Sequence, residues 1–351
     1  NSRERSGFFC RFHRRHNRFR YVVSIVTIYS FMFLNMASAQ QIVVDGQTQT
    51  QLTINQNVTD VTTSTIHGSN AFNSFSKFDV SQGNVVNLHV PNSAQNLLNM
   101  VHGSQTNIDG ILNSIKNGQI GGNVFFANPH GFVVGAGGMV NVGSLTAITP
   151  TRSFMENFFD GPGQPNLSAT SQLLSGSTPI NSEALISIQG KINALTDITL
   201  AAGSISNYGM LASGAVFDGY QADFSDIVNI NDIEIGTAIT VDVNGDIVIS
   251  AQEDFLNSGT IITDWSDNLD AGNIDIYAGR DISLAGGSLV SAAGRGTNSG
   301  GGNIYIWADN NASARAGAKI DARGGDVSGE GGFIEFSAKK VVDLENAQMS
   351  A

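Results

Sequence analysis

Histidine is the side chain best suited to proton transfer near neutral pH and to metal ligation. This chain places His67, His89, His102 and His130 along one stretch. They are widely spaced and form no H-E-x-x-H or H-x-H pattern, so no metal site and no cofactor is expected. No G-x-S-x-G element marks a nucleophilic serine. Cleavage of sugar polymers would need converging carboxylates, usually with Lys or Arg on the same face, and no paired-acid motif recurs along a strand. The compact polar motif that remains is Asn128-Pro129-His130-Gly131-Phe132. Its residue types specify a turn, with Pro presetting φ and Asn and Gly accepting unusual backbone angles. These side chains suit binding and backbone shaping, and no catalytic residue is assigned.

The background composition explains what must hold such a turn. Only 14% of the 351 residues are charged while 41% are apolar, and 40 are Gly. Disorder requires low hydrophobicity and high charge, so the chain has material for a core. Abundant Val, Ile, Thr, Asn and Gly with little charge fits many short strands joined by tight turns. Residues 1–20 carry seven Arg and one acid, Glu4, ahead of an uncharged apolar run from Tyr21 to Leu34. That run of 14 residues is short against the roughly 20 needed to span a bilayer. Ala37-Ser38-Ala39 follows, so residues 1–39 are expected to be an extended signal peptide cleaved between Ala39 and Gln40. The sequence begins with Asn, so a preceding stretch is expected. Setting aside the seven Arg and one Glu of residues 1–39 leaves 11 basic and 29 acidic residues, a net charge of −18. Such a surface repels nucleic acid. The only Cys, Cys10, lies in the same leader, which suits a chain that crosses a membrane unfolded.

A repeat organises the C-terminal third. Gly272-Asn273-Ile274-Asp275-Ile276-Tyr277-Ala278 returns as Gly302-Asn303-Ile304-Tyr305-Ile306-Trp307-Ala308 and as Gly332-Phe333-Ile334-Glu335-Phe336-Ser337-Ala338, each 30 residues on. Within each unit apolar and polar residues alternate, the period of a strand with one buried face. One unit cannot bury its own apolar side, but a stack of units can, with strands about 4.8 Å apart. The expected fold is an all-β, right-handed parallel β-helix, a solenoid with extra-helical loop excursions, running from about Val43; the hand follows the crossover rule. The last unit stops near Met349, inside its third strand, which reads as a truncation. Ser153–Pro179 and Phe217–Asp232 break the pattern and are expected to be the excursions, the first with a short helix around Met155–Phe159. Segment 92–118 is ambiguous, because Leu97, Leu98, Val101, Ile108, Ile111, Leu112 and Ile115 have partly helical spacing. Phe72, Phe75 and Phe78 are expected in the core or as an N-terminal plug.

Four blocks in order carry a further signal: Phe72-Asn73-Ser74-Phe75; Asn107-Ile108-Asp109-Gly110-Ile111-Leu112; Asn128-Pro129-His130-Gly131-Phe132; and Val140-Asn141-Val142-Gly143-Ser144-Leu145-Thr146-Ala147. Together they resemble the secretion domain of two-partner-secreted exoproteins of the filamentous haemagglutinin type. His130 and Phe132 stand where that family usually has Asn and Ile, and no clean second N-P-N-L motif is present. The resemblance implies a secretion domain over residues 40–300 and the start of a repetitive shaft over 301–351. It further implies export by a partner outer-membrane β-barrel transporter with periplasmic recognition domains, and a place outside the cell or on its surface. Asn128, Pro129, His130, Gly131 and Phe132 are then the expected recognition motif. A host-cell surface or glycan would be met by a C-terminal region beyond this sequence. The same export route serves adhesins, cytolysins and contact-dependent toxins, and the fold class also includes polysaccharide-degrading enzymes, so these remain alternatives.

Overall fold

Alternation sets the strands, and the strands stack. The computed structural model describes residues 41–214, 245–265 and 269–351. In strand Ile274–Ala278 the residues Ile274, Ile276 and Ala278 are buried while Asp275 and Tyr277 face out. It pairs in parallel with Ile304–Ala308, which pairs in turn with Ile334–Ala338, with Ile274, Ile304 and Ile334 in one column. The 30-residue offset is therefore one turn of a parallel β-helix. Each coil adds one strand to each of three faces. One coil supplies Asn123–Ala127, Phe132–Val134 and Met139–Val142. Later coils repeat the arrangement as far as Gln348–Ser350. The inward side chains form one continuous core, from Phe75 and Phe78 through Ile186 and Ile249 to Ile306 and Ile320. Downstream its thickness falls to Ala308, Ala312 and Ala314.

The N-terminal end is closed by antiparallel pieces. Strand β1 (Ile42–Val44) runs antiparallel to β5 (Asn70–Val80), and β2 (Thr50–Asn55) forms a hairpin with β3 (Val58–Thr63). Strand β4 (Ile66–His67) turns back onto β5, whose onward pairing with Asn96–Val101 is parallel. The three phenylalanines divide. Phe75 and Phe78 enter the core, where Phe78 meets Phe126 at 5.2 Å and Phe126 meets Phe132 at 5.5 Å between ring centroids. Phe72 faces the opposite way, into a second cluster outside the coil.

That second cluster accounts for where sequence periodicity misled. Segment 92–118 contains strands Asn96–Val101, Thr106–Ile108 and Ile111–Lys116. Leu97 and Val101 line the main core, while Leu98 and Met100 point outward yet are equally buried. A strand buried on both faces loses its period of two. The cover is the insertion that leaves after Ile148 and returns through a bridge between Pro150 and Ile180. Its first helix, α1 (Arg152–Glu156), begins earlier than expected, because the Thr151 hydroxyl caps it by accepting from the Phe154 N–H. A hairpin of Phe159–Gly161 and Gln164–Pro165 follows, then a helix not foreseen, α2 (Leu167–Leu174), capped by Asn166. Phe154, Met155, Phe158 and Leu173 lie over Phe72, Leu98 and Met100. The expected excursion at Phe217–Asp232 and the signal segment with its Ala39–Gln40 cleavage site lie outside the described residues.

Candidate functional site: the Asn128 corner

Asn128 follows Ala127, the last residue of a first-face strand, and Phe132 opens the next face. The chain must turn there with its neighbours one coil below and one above. Asn128 Oδ1 accepts from the His130 N–H at 2.9 Å, closing an Asx turn, and the Gly131 N–H donates to the Asn128 carbonyl at 3.3 Å. The same side chain reaches down. Its amide donates to the Ser104 carbonyl at 2.8 Å and to the Thr106 hydroxyl at 2.9 Å. Gly131 has φ of 109°, and a Cβ there would sit 2.7 Å from the Leu185 carbonyl of the coil above. Only Gly combines that angle with that approach. Pro129 is buried and its carbonyl accepts from the Asn181 amide at 2.8 Å.

The sequence motif is thus one connected corner, and most of it is inside. Asn128, Pro129, Gly131 and Phe132 are buried; His130 alone is partly exposed. Its Nε2 contacts the His102 carbonyl at 3.0 Å. The site lies at the neck of the insertion, since Asn181 directly follows Ile180, where the insertion returns, and the Asn128 N–H donates to the carbonyl of Ile148, the last residue of the strand before departure. An Asx turn was legible from residue types. The two bonds into the coil below were not, since they depend on Ser104 and Thr106 lying one turn earlier.

The other histidines are spread along the early coils and do not converge as ligands. His67 Nε2 contacts the Gly163 carbonyl at 3.0 Å, and His89 Nε2 contacts Asp60 Oδ1 at 2.7 Å. Among the described residues no three His, Cys, Asp or Glu side chains gather as a metal cage. A serine, a histidine and an aspartate do meet at Ser74, His102 and Asp45. Ser74 Oγ donates to Asp45 Oδ2 at 2.6 Å, so its 3.2 Å contact with His102 Nε2 requires the imidazole to donate. That polarity is the reverse of a serine activated by a base, and Ser74 is buried. The trio ties the residue after β1 to β5 and the following coil. Burial holds the His102 pKa below its ordinary value of 6.5, against the opposing pull of Asp45.

Sequence reasoning missed a buried polar column. Asn87 donates to Asp60 at 3.0 Å, Asn113 to Asn87 at 3.1 Å, Asn141 to Asn113 at 2.9 Å and Asn193 to Asn141 at 2.9 Å. The four asparagines are fully buried and sit in register, one per coil. Spacings of 26 and 28 residues link the first three, but the insertion stretches the last to 52 and many other asparagines hide the series. The column fixes register, because a one-residue slip would leave each amide without a partner.

Two solved structures and one family model resemble this chain. The crystal structure of the HMW1 secretion domain from Haemophilus influenzae is 17% identical, with TM-score 0.39, over 89% of this chain and 100% of that one. The crystal structure of the filamentous hemagglutinin secretion domain is 16% identical, with TM-score 0.41, over the same shares of 89% and 100%. No curated protein gives a significant match. The family model of the TPS secretion domain matches residues 40–306, and the chain belongs to that family, the secretion domains of two-partner secretion exoproteins.

Proposed function

We propose that this domain addresses the chain to a partner outer-membrane β-barrel transporter through that transporter's periplasmic domains. Residues 1–39 act as the signal, released between Ala39 and Gln40; residues 40–300 are the secretion domain, and 301–351 begin a shaft displayed at the cell surface. The observation that carries this, beyond family membership, is the parallel ladder of coils. Every coil from Asn96–Val101 onward pairs with the one before it, so a chain emerging from a pore N-terminus first finds its template already folded. Burial of apolar surface, worth roughly 25 cal/mol per Å², supplies a drive where no nucleotide is at hand.

Within that scheme the Asn128–Phe132 corner contributes to recognition by holding a surface in shape. Its buried side chains set the path of the backbone, and His130 with the neck of the insertion faces the partner. The domain acts as an export and adhesion module rather than as an enzyme, and the displayed protein is an adhesin. A cytolysin or toxin on the same export route, or a polysaccharide-degrading enzyme, is the competing assignment. The test is export in cells with and without the partner barrel. Secretion that persists without the barrel sinks the scheme. Deleting residues 302–331 should keep the 30-residue register and leave export intact. Purified secreted protein that depolymerises pectin-like substrates would favour the enzyme instead.

A further inference from the structure

The outward face of the downstream coils carries an aromatic platform. Tyr277 and Trp307 occupy one column, and Asp275, Tyr305 and Glu335 the next. Coils lie about 4.8 Å apart, so the rings form a flat sheet-borne surface. Tyr277, Tyr305 and Trp307 are 40%, 39% and 38% exposed, and Phe333, at 54%, joins the edge with its ring 5.7 Å from that of Tyr305.

The polar tips of Tyr277 and Trp307 are held. Asp309 Oδ2 accepts from the Tyr277 hydroxyl at 3.1 Å and its Oδ1 from Trp307 Nε1 at 3.1 Å, while Lys339 lies 2.8 Å from Oδ1. With those tips satisfied, the ring faces are what remains to be covered. The central carboxylate is neutralised by Lys339, and Asp275 and Glu335 flank the rings as acceptors. Anionic membranes and sulfated polymers are repelled by that rim and by the net charge of −18 over residues 40–351. The surface is flat, so it offers no groove for a helix.

We propose that this face binds neutral glycans. A neutral sugar chain has an apolar C–H face to lie on Trp307 and Tyr305, and hydroxyls at its rim to donate to Asp275 and Glu335. The fixed rings lose little freedom on binding, which favours affinity.

The chain contains two tryptophans. Trp265 is buried, so acrylamide quenching of fluorescence reports chiefly on Trp307. The secreted chain is titrated with neutral hexasaccharides (gluco-, manno- and galacto-configured), with heparin, with anionic phosphatidylglycerol vesicles and with a cationic lysine peptide. The expected result is protection of Trp307 by at least one neutral hexasaccharide, and at least a tenfold weaker affinity in Tyr305→Ala with unchanged circular dichroism. Affinity of Trp307→Ala, read by calorimetry, should fall likewise. Protection by none of the neutral sugars overturns the proposal. Protection by heparin, vesicles or the cationic peptide in their place, or by raising the protein concentration alone, overturns it too. Should Tyr305→Ala lose its circular dichroism, the Asp275→Ala variant replaces it, with weakened binding expected and unchanged binding counting against the site.

Discussion

The side-chain amide of Asn181 donates to the carbonyl of Pro129 across 2.8 Å, joining residues 52 positions apart. The returning end of the insertion is thereby fastened to the corner at its base. Anything that reshapes that corner is transmitted to the insertion, and the first prediction follows from it.

Asn128→Ala removes three hydrogen bonds rather than the single local one that an isolated Asx turn would make. At about 0.5–1.5 kcal/mol each, the loss is about 1.5–4.5 kcal/mol. Urea unfolding should show the lower midpoint with the m-value retained. Export beside the partner barrel should fall while circular dichroism stays that of a folded domain. Normal export would remove the corner from recognition.

Within the buried column, position decides cost. Asn141→Ala strands the Asn113 Oδ1 and the Asn193 amide together, for about 2–4 kcal/mol. Asn193→Ala breaks one bond and deletes an Oδ1 that has no partner among the described residues, so about 1–2 kcal/mol is expected. Denaturant melts of both variants check the ranking. Equal losses would mean that the column is not a linear chain of bonds.

Phe126 sits between Phe78 and Phe132 in the core. Phe126→Ala should cost about 3–5 kcal/mol through lost burial and a cavity. Phe333→Ala, at an exposed edge, should change the thermal midpoint little, and a comparable shift in both would contradict the division between core and surface.

How much of this was legible depended on how many sides of a strand are covered. Around Ile274 and Ile304 one face meets water, and alternation declared strand and register together. Around Leu98 and Met100 the insertion dries the outer face, and the same strands imitate helical spacing. Capping chemistry placed α1: Thr151 could have been recognised as an N-cap, and Asn166 likewise for α2. The Asn128 turn was readable from its residue types. Its anchorage to Ser104, Thr106 and Asn181 was not, since those contacts exist only once coils are stacked.

A pH dependence follows from His102. Its pKa is lowered by burial, with Asp45 pulling the other way and Ser74 interposed; His130 approaches only its backbone carbonyl. The neutral form is therefore favoured by folding. Its contribution is fully present above the ordinary value of 6.5 and is lost as pH falls from there through the lowered folded value. Thermal melts across that range should show a decline that His102→Gln flattens. An unchanged slope in the variant would assign the decline to other groups.

The insertion hairpin also touches the antiparallel pieces that close the N-terminal end. The Gly163 N–H donates to the Gln47 carbonyl at 2.6 Å, and the Gly163 carbonyl meets His67. A nascent chain that has delivered only its first 148 residues would leave Phe72, Leu98 and Met100 wetted, with the cap unfastened. The smallest length that covers this outer cluster therefore ends near residue 181, and the coils that follow pair in parallel onto it. The molecule thus has a fixed minimum of chain, and the coils that follow are laid on a nucleus whose outer face is already covered.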